Sequence, residues 1–309
     1  MDTIELFRIF LRVAENGSFV RTAEAMNRPV STISAAVRQL ETRLDTRLLH
    51  RTTRSVSLTS DGSAFYARCR TVVQDVEEAV NLFRYDGEQV AGTIRVDVPG
   101  RIGRLIVAPA LPDFFALHPQ IRIELGVTDR SVNLAEEGTD CALRVGELSD
   151  SGMVARRIGM MKLINVASAE YLAAHGEPDS PQQLTGHFAV GYASPTSGRR
   201  ARWEWEANGE TLSCDVDHRL SVNSAEAYIA ACAAGLGLIQ IPAYDVQDLL
   251  ADGTLREVMP DFLPNALPVN LLYPHRRHLS RPLQLFMAWL EPLLVERMGL
   301  VQEVRRSAE

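Results

Sequence analysis

Residues 18–51, SFVRTAEAMN RPVSTISAAV RQLETRLDTR LLHR, constrain the fold more than any other stretch, because two short helical patterns meet there across a tight break. Gly17 closes the preceding helix, since a residue without Cβ tolerates a left-handed cap. Ser18 follows where an N-cap hydroxyl can accept from the next N–H groups. Phe19, Ala23 and Met26 share one face of a short helix. Asn27, Arg28 and Pro29 form the break, and Pro29 disfavours the helical region for Arg28. The second helix carries Ile33, Val37, Leu40 and Leu44, which the spacing directs inward. Val30, Ser31, Thr32, Ser34, Ala35 and Arg38 are left outward near its N-terminus. Small polar residues there suit base edges in the major groove of DNA. The helix N-terminus also favours phosphate.

Arg51, Thr52, Thr53 and Arg54 come next, and Ser55 to Thr59 alternate as a short β-wing with basic flanks. Ser31, Thr32 and Ser34 are the candidate base readers. Arg38, Arg51, Thr53 and Arg54 are the candidate phosphate contacts. The bland alternative is a three-helix core with a solvated basic loop. Residues 1–62 resemble the N-terminal winged helix of the LysR-type transcriptional regulators. The matching residues are Leu6, Phe10, Ala14, Gly17-Ser18-Phe19, Ala23, Ser34 and Arg38-Gln39-Leu40-Glu41. Leu44, Leu48, Arg51, Leu58-Thr59 and Gly62 complete the match. Pro29, Ala35 and Asp45 depart from it, standing where the family has a Ser or Thr cap, often Arg, and usually Gly. The change at Ala35 leaves base readout to Ser31, Thr32 and Ser34.

The chain's 309 residues exceed one typical domain, and 46% hydrophobic content is globular. No apolar run reaches the ~18 residues of a membrane span. The start lacks a secretion signal. Cys69, Cys141, Cys214 and Cys232 are scattered, as reduced thiols of a cytoplasmic protein. The net charge of −7 hides an asymmetry: residues 1–60 hold nine arginines and six acids, so the rest carries about −10. A basic head on an acidic body fits a DNA reader joined to a sensor.

After the wing a long helix runs from about Thr59 to Tyr85. Phe65, Cys69, Val72, Val76, Ala79 and Phe83 recur at heptad spacing, which suits pairing of two chains. Packing on its own domain is the alternative. Residues 86–92 are polar and Gly-bounded, a hinge. Thr93–Val98 begins an alternation of strands and helices that predicts a largely parallel, doubly wound sheet. Ile121–Val127 and Cys141–Val145 are further strands, with a short helix over Val132–Glu137 between them. A second unit begins near Asn165, and Asn208-Gly209 marks a hairpin. The chain returns at Val269 and ends in a helix over Pro282–Glu296.

Enzyme signatures are weak. Gly235-Leu236-Gly237 precedes a strand, where a dinucleotide fingerprint follows one. There is no Gly-x-Ser-x-Gly elbow. His275 and His278 are flanked by arginines that would repel a metal ion. Trp203 and Trp205 share a strand face and are read as core, with a ligand stack the alternative. A DNA-coating protein without sensing would not need the α/β part.

The expected architecture is therefore α/β with an N-terminal winged helix-turn-helix. Its parts are the DNA-binding domain over 1–58, a linker and dimerisation helix over 59–88, and two α/β subdomains over 89–164 with 269–309 and over 165–268. The resemblance implies a periplasmic-binding-protein-like cleft between the subdomains, holding a small effector. Gly100, Arg101, Ile102, Thr128, Arg144, Gly146, Ser194 and Asn223 are the candidate lining. Arg101 near a helix N-terminus suggests an acidic or phenolic effector. No metal or other cofactor is expected. The expected partners are double-stranded promoter DNA, further copies as a homodimer or homotetramer, and RNA polymerase; no membrane is expected.

Overall fold

The computed structural model describes residues 1–51, 56–81, 90–129, 138–148, 153–193, 200–274 and 279–301. Three helices open the chain: α1 (Thr3–Asn16), α2 (Phe19–Ala25) and α3 (Val30–Leu44). Local chemistry sets their ends. Asp2 caps α1 by accepting from the Thr3 N–H at 2.6 Å, and Gly17 terminates it at φ 57°. Ser18 Oγ accepts from the Arg21 N–H at 3.3 Å, so the expected N-cap of α2 forms. Asn27 and Asp45 both adopt left-handed backbone, at φ 49°. Asp45 thus meets the conformational demand that a glycine would meet with less strain.

Strands β1 (Leu49–Arg51) and β2 (Val56–Leu58) pair antiparallel as the wing, and α4 (Ser60–Asn81) follows. The core of this first part joins Leu6, Ile9, Phe10 and Val13 of α1 to Ile33, Ala36, Val37 and Leu40 of α3. Leu44 does not complete that face, as the spacing implied; it is 38% exposed beyond the core's end, and Ala36 is buried instead. The expected pairing seam on α4 also needs correction. Phe65 lies against Phe7 and Phe10 with ring centroids 5.5 Å apart in each case. Cys69 is buried in the same core. Cys69 is thus closed to a second chain, and Phe65 is half-buried against α1. Val72 is 40% exposed and Val76 half-buried. The Ala79 side chain and Phe83 lie outside the described residues.

Among the described residues, the remainder builds a five-stranded and a three-stranded sheet, with two further strand pairs beside the second. The first takes β3 (Gly92–Val98), then α5 (Gly100–Ile102), a π-helical turn (Gly103–Val107) and α6 (Ala108–Leu117). β4 (Ile121–Val127), β5 (Cys141–Val145) and β6 (Met153–Met161) follow. Lys162 alone separates β6 from β7 (Leu163–Ser168), which enters the second sheet. The chain then runs through α7 (Ala169–His175), β8 (Gly191–Tyr192), β9 (Trp203–Ala207), β10 (Glu210–Cys214), β11 (Ser221–Val222), α8 (Ala225–Ala233), β12 (Ile239–Pro242), α9 (Ala243–Ala251) and β13 (Leu255–Glu257), of which β12 and β13 join β7 while β9–β10 and β8–β11 form separate pairs. β14 (Leu267–Pro274) returns to the first sheet, and α10 (Arg281–Met298) packs against it. The expected helix over Val132–Glu137 falls outside the described residues.

The first sheet has the order β4-β3-β5-β14-β6, with β14 antiparallel to both neighbours. The second places β7 antiparallel between β12 and β13. A parallel bridge from Ala189 to Leu238 joins the β8–β11 pair to it. Each sheet therefore has one strand opposed to the rest, and in each that strand is the crossover from the other. Residues alternate through β7 as a two-sided strand requires: Val166 faces the α8 cluster with Tyr228, Ile229 and Cys232, while Ala167 faces Tyr171, Trp203 and Trp205. Asn208 and Gly209 take positive φ and make the predicted β9–β10 hairpin. In the first sheet's helical layer, Phe114 is fully buried and meets the rings of Phe286 and Trp289.

Candidate functional site: a recognition helix and a cavity

The outer face of α3 presents Ser31, Ala35 and Arg38 exposed, with Thr32 and Ser34 half-buried beside them. Pro29 starts the helix without a side-chain cap, so the first-turn N–H groups are not closed off by a capping hydroxyl. Arg51 does something the sequence did not suggest. Its Nη2 reaches Glu41 Oε2 at 2.6 Å, and its guanidinium lies 5.1 Å from the Phe19 ring centroid. Glu41 Oε1 also accepts from the Leu48 and Leu49 N–H groups at 3.0 and 3.2 Å. The Glu41–Arg51 pair thus braces α3 against the first wing strand. Thr53 and Arg54 lie outside the described residues.

A cavity of about 600 Å³ opens between the two sheets. Its walls include Arg101, Ile102, Thr128, Arg144 and Gly146 from the expected set. Gly100 does not line it, and its N–H donates instead to Asp129 Oδ1 at 2.8 Å. Asn223 is exposed and does not line it either. Ser194 lies outside the described residues. Sequence reasoning missed Tyr192, Tyr228 and Tyr244, which with Trp203 give the walls their aromatic character, and also Arg200 and Arg202. The pattern of β9 marked Trp203 as buried but did not say that the burying surface was a cavity wall.

The expected anion seat at Arg101 does not form. Arg101 Nε meets Asp245 Oδ1 at 3.1 Å, and its Nη1 meets Glu226 Oε2 at 2.9 Å. Its Nη2 also donates to the Asp245 carbonyl. Arg104 Nε adds a contact to Glu226 Oε1 at 2.8 Å. Arg101 and Arg104 stand beside the first sheet, and Glu226 and Asp245 begin α8 and α9 of the second. The arginine is a latch across the cleft, with its charge already neutralised. Burial pushes the Asp245 carboxyl up to about 6, against the pull of Arg101. Arg144 is likewise occupied: its Nη1 pairs with Asp97 at 2.7 Å.

Arg200 and Arg202 carry the other positive charge of the lining. Each approaches Asp215 at 3.4 Å, and both are partly open to solvent. Arg200 also contacts the His218 ring, at 2.9 Å to Nε2. Burial raises the Tyr192 phenol to about 12 and pushes Tyr228 and Tyr244 upward as well. These hydroxyls therefore stay neutral donors near neutral pH. Burial also pushes the Cys69, Cys141 and Cys232 thiols up to about 12, which suppresses thiolate chemistry. Among the described residues, no group of three or more His, Cys, Asp or Glu side chains is placed to hold a metal ion. No described helix is long and apolar enough to cross a membrane.

Residues 4–63 match the family described as bacterial regulatory helix-turn-helix protein, lysR family. Residues 87–294 match the LysR substrate binding domain. The chain is 38% identical over 296 residues to YhjC, an uncharacterized HTH-type transcriptional regulator of Escherichia coli K12, covering 96% of this chain and 99% of that one. The structure of CrgA, a LysR-type transcriptional regulator from Neisseria meningitidis, is 31% identical, covers 97% of this chain and 99% of its own, and gives a TM-score of 0.57. The full-length Vibrio cholerae virulence activator AphB is 28% identical, with 94% and 98% covered and a TM-score of 0.57.

Proposed function

The chain belongs to the LysR family of transcriptional regulators, and from that premise we propose that α3 reads operator bases while the cavity binds a small effector that resets DNA affinity. The observation carrying this reading is the cavity of about 600 Å³ between two sheets, which the chain crosses at Lys162 and again before β14 and which the Arg101 latch spans. A hinge of that kind lets a ligand favour one closure over another.

Ser31, Thr32 and Ser34 are the proposed base readers, and Arg38 and Arg54 the proposed phosphate contacts, with Thr53 beside them. Arg51 has its charge engaged by Glu41, so its proposed part is to position the wing. The effector is a small acidic or phenolic molecule. Tyr192, Tyr228 and Trp203 suit an aromatic ring. A carboxylate would meet Arg200 and Arg202, whose 3.4 Å approaches to Asp215 are long and open to solvent, whereas Arg101 and Arg144 are held in closer, more buried pairs. The chain acts in the cytoplasm on promoter DNA as a homodimer or homotetramer, with RNA polymerase as a further partner. Val72 and Val76 are proposed, with Ala79 and Phe83, to carry chain pairing on the helix after the wing.

The test is selection of bound sites from a random duplex pool, followed by titration. Ser31→Ala, Thr32→Ala and Ser34→Ala should each cost about 1–3 kcal/mol and relax one position of the selected site. Arg38→Ala should weaken all sequences alike and lower the salt slope by about one. If these substitutions leave both the selected site and the salt slope unchanged, α3 is not the reading helix.

A further inference from the structure

The outer face of α3 is unusual in what it lacks. Over its first two turns every outward side chain is short: Val30, Ser31, Thr32, Ser34 and Ala35. Bidentate readout needs Arg or Lys on guanine, or Asn or Gln on adenine. No such side chain is available until Arg38, in the third turn. What the first two turns do project is methyl groups. Val30 is 43% exposed and belongs to no core cluster of the domain. Ala35 is exposed at the centre of the outer face, one turn beyond Ser31. The bulk of neither residue is accounted for by packing within the domain.

The major groove offers one apolar group to such surfaces, the thymine 5-methyl. Short side chains also let the helix backbone approach the groove floor, which brings these methyls within reach of it. We infer that Val30 and Ala35 are specificity-determining contacts to thymine methyls, so that each half-site is fixed at two positions by T·A pairs. Ser31 and Thr32 lie beside them, and their hydroxyls can serve either purine or pyrimidine edges. This inference rests on the reading of α3 as the base-reading helix.

Replacing thymine by deoxyuridine removes the methyl and leaves every hydrogen-bonding group in place. The full chain is first used to select duplexes from a random pool, and thymines of the selected site are then replaced one at a time. At two positions per half-site, affinity should fall about fourfold, the factor expected for losing one buried methyl group. Val30→Ala should abolish the loss at one of those positions, and Ala35→Ser at the other, while both variants keep their folding transition. Uridine substitution that is neutral throughout would overturn the inference, as would full uridine sensitivity in Val30→Ala and Ala35→Ser. Ser31→Ala and Arg38→Ala separate the two failures. If they alter binding while uridine does not, only the methyl contacts fall. If they too change nothing, the helix assignment falls with them.

Discussion

Replacing Arg101 by alanine should cost about 3–5 kcal/mol of stability at pH 7, measured by denaturant unfolding, because it strands a buried carboxylate. Asp245 is 6% exposed, and Arg101 supplies both its ion pair and a donor to its carbonyl. Without the guanidinium, Asp245 must either stay ionised without its partner or take up a proton. Raising the ordinary carboxylate value to neutrality costs about 4 kcal/mol at pH 7. The loss should therefore shrink as pH falls. Asp245→Asn gives the complementary reading. Its carboxyl sits at about 6 in the fold against 3.8 ordinarily, so the fold binds this proton more tightly than the unfolded chain does. Relative to Asp245→Asn, wild-type stability should decline as pH rises from about 4 through about 6. Arg101→Ala combined with Asp245→Ala should recover most of the loss, since no buried charge then remains. An Arg101→Ala protein as stable as wild type at pH 7 would show that the latch does not hold the cleft.

Phe10→Ala should remove about 3–5 kcal/mol from the winged helix, within the range for deleting a buried aromatic. Phe10 is fully buried and meets Phe65 at 5.5 Å and Tyr66 at 6.4 Å, so it ties α1 to α4. A domain of this size has a narrow margin, and the loss approaches its whole stability. DNA binding should collapse and limited proteolysis should cut first within residues 1–81, while the two-sheet part keeps its own unfolding transition. Unchanged DNA affinity together with an unchanged transition would contradict the packing described for α4.

The winged helix was legible because its signals are local. Gly17, Ser18 and the Asn27–Pro29 break each act within a turn of themselves, and Asn208-Gly209 shapes its hairpin without outside help. The seam on α4 was misread for a physical reason. Heptad spacing says that Phe65 and Cys69 share a face, but not whose surface that face meets; α1 of the same chain covers it. Arg101 was misread for another. A charge before a helix N-terminus looks like an anion seat when only neighbours in sequence are considered. Its partners, Glu226 and Asp245, come from α8 and α9, and the adjacent Gly100 N–H is taken by Asp129. No periodicity links residues that far apart. The cavity's aromatic wall was hidden likewise, since Tyr192, Tyr228 and Trp203 come from three separate elements that each look like ordinary core.

The central claim is that occupancy of the cavity changes DNA affinity. It is tested most directly by anisotropy on a selected duplex, with and without the fraction of a bacterial extract below about 1 kDa. Wild type is compared with Ala189→Trp, which puts an indole at a cavity-lining residue so as to fill the space. Wild-type affinity should shift about 5- to 150-fold, the usual range of coupling between two sites, and that of the filled variant should stay unchanged. Equal shifts in both proteins, or no shift in wild type, would contradict it.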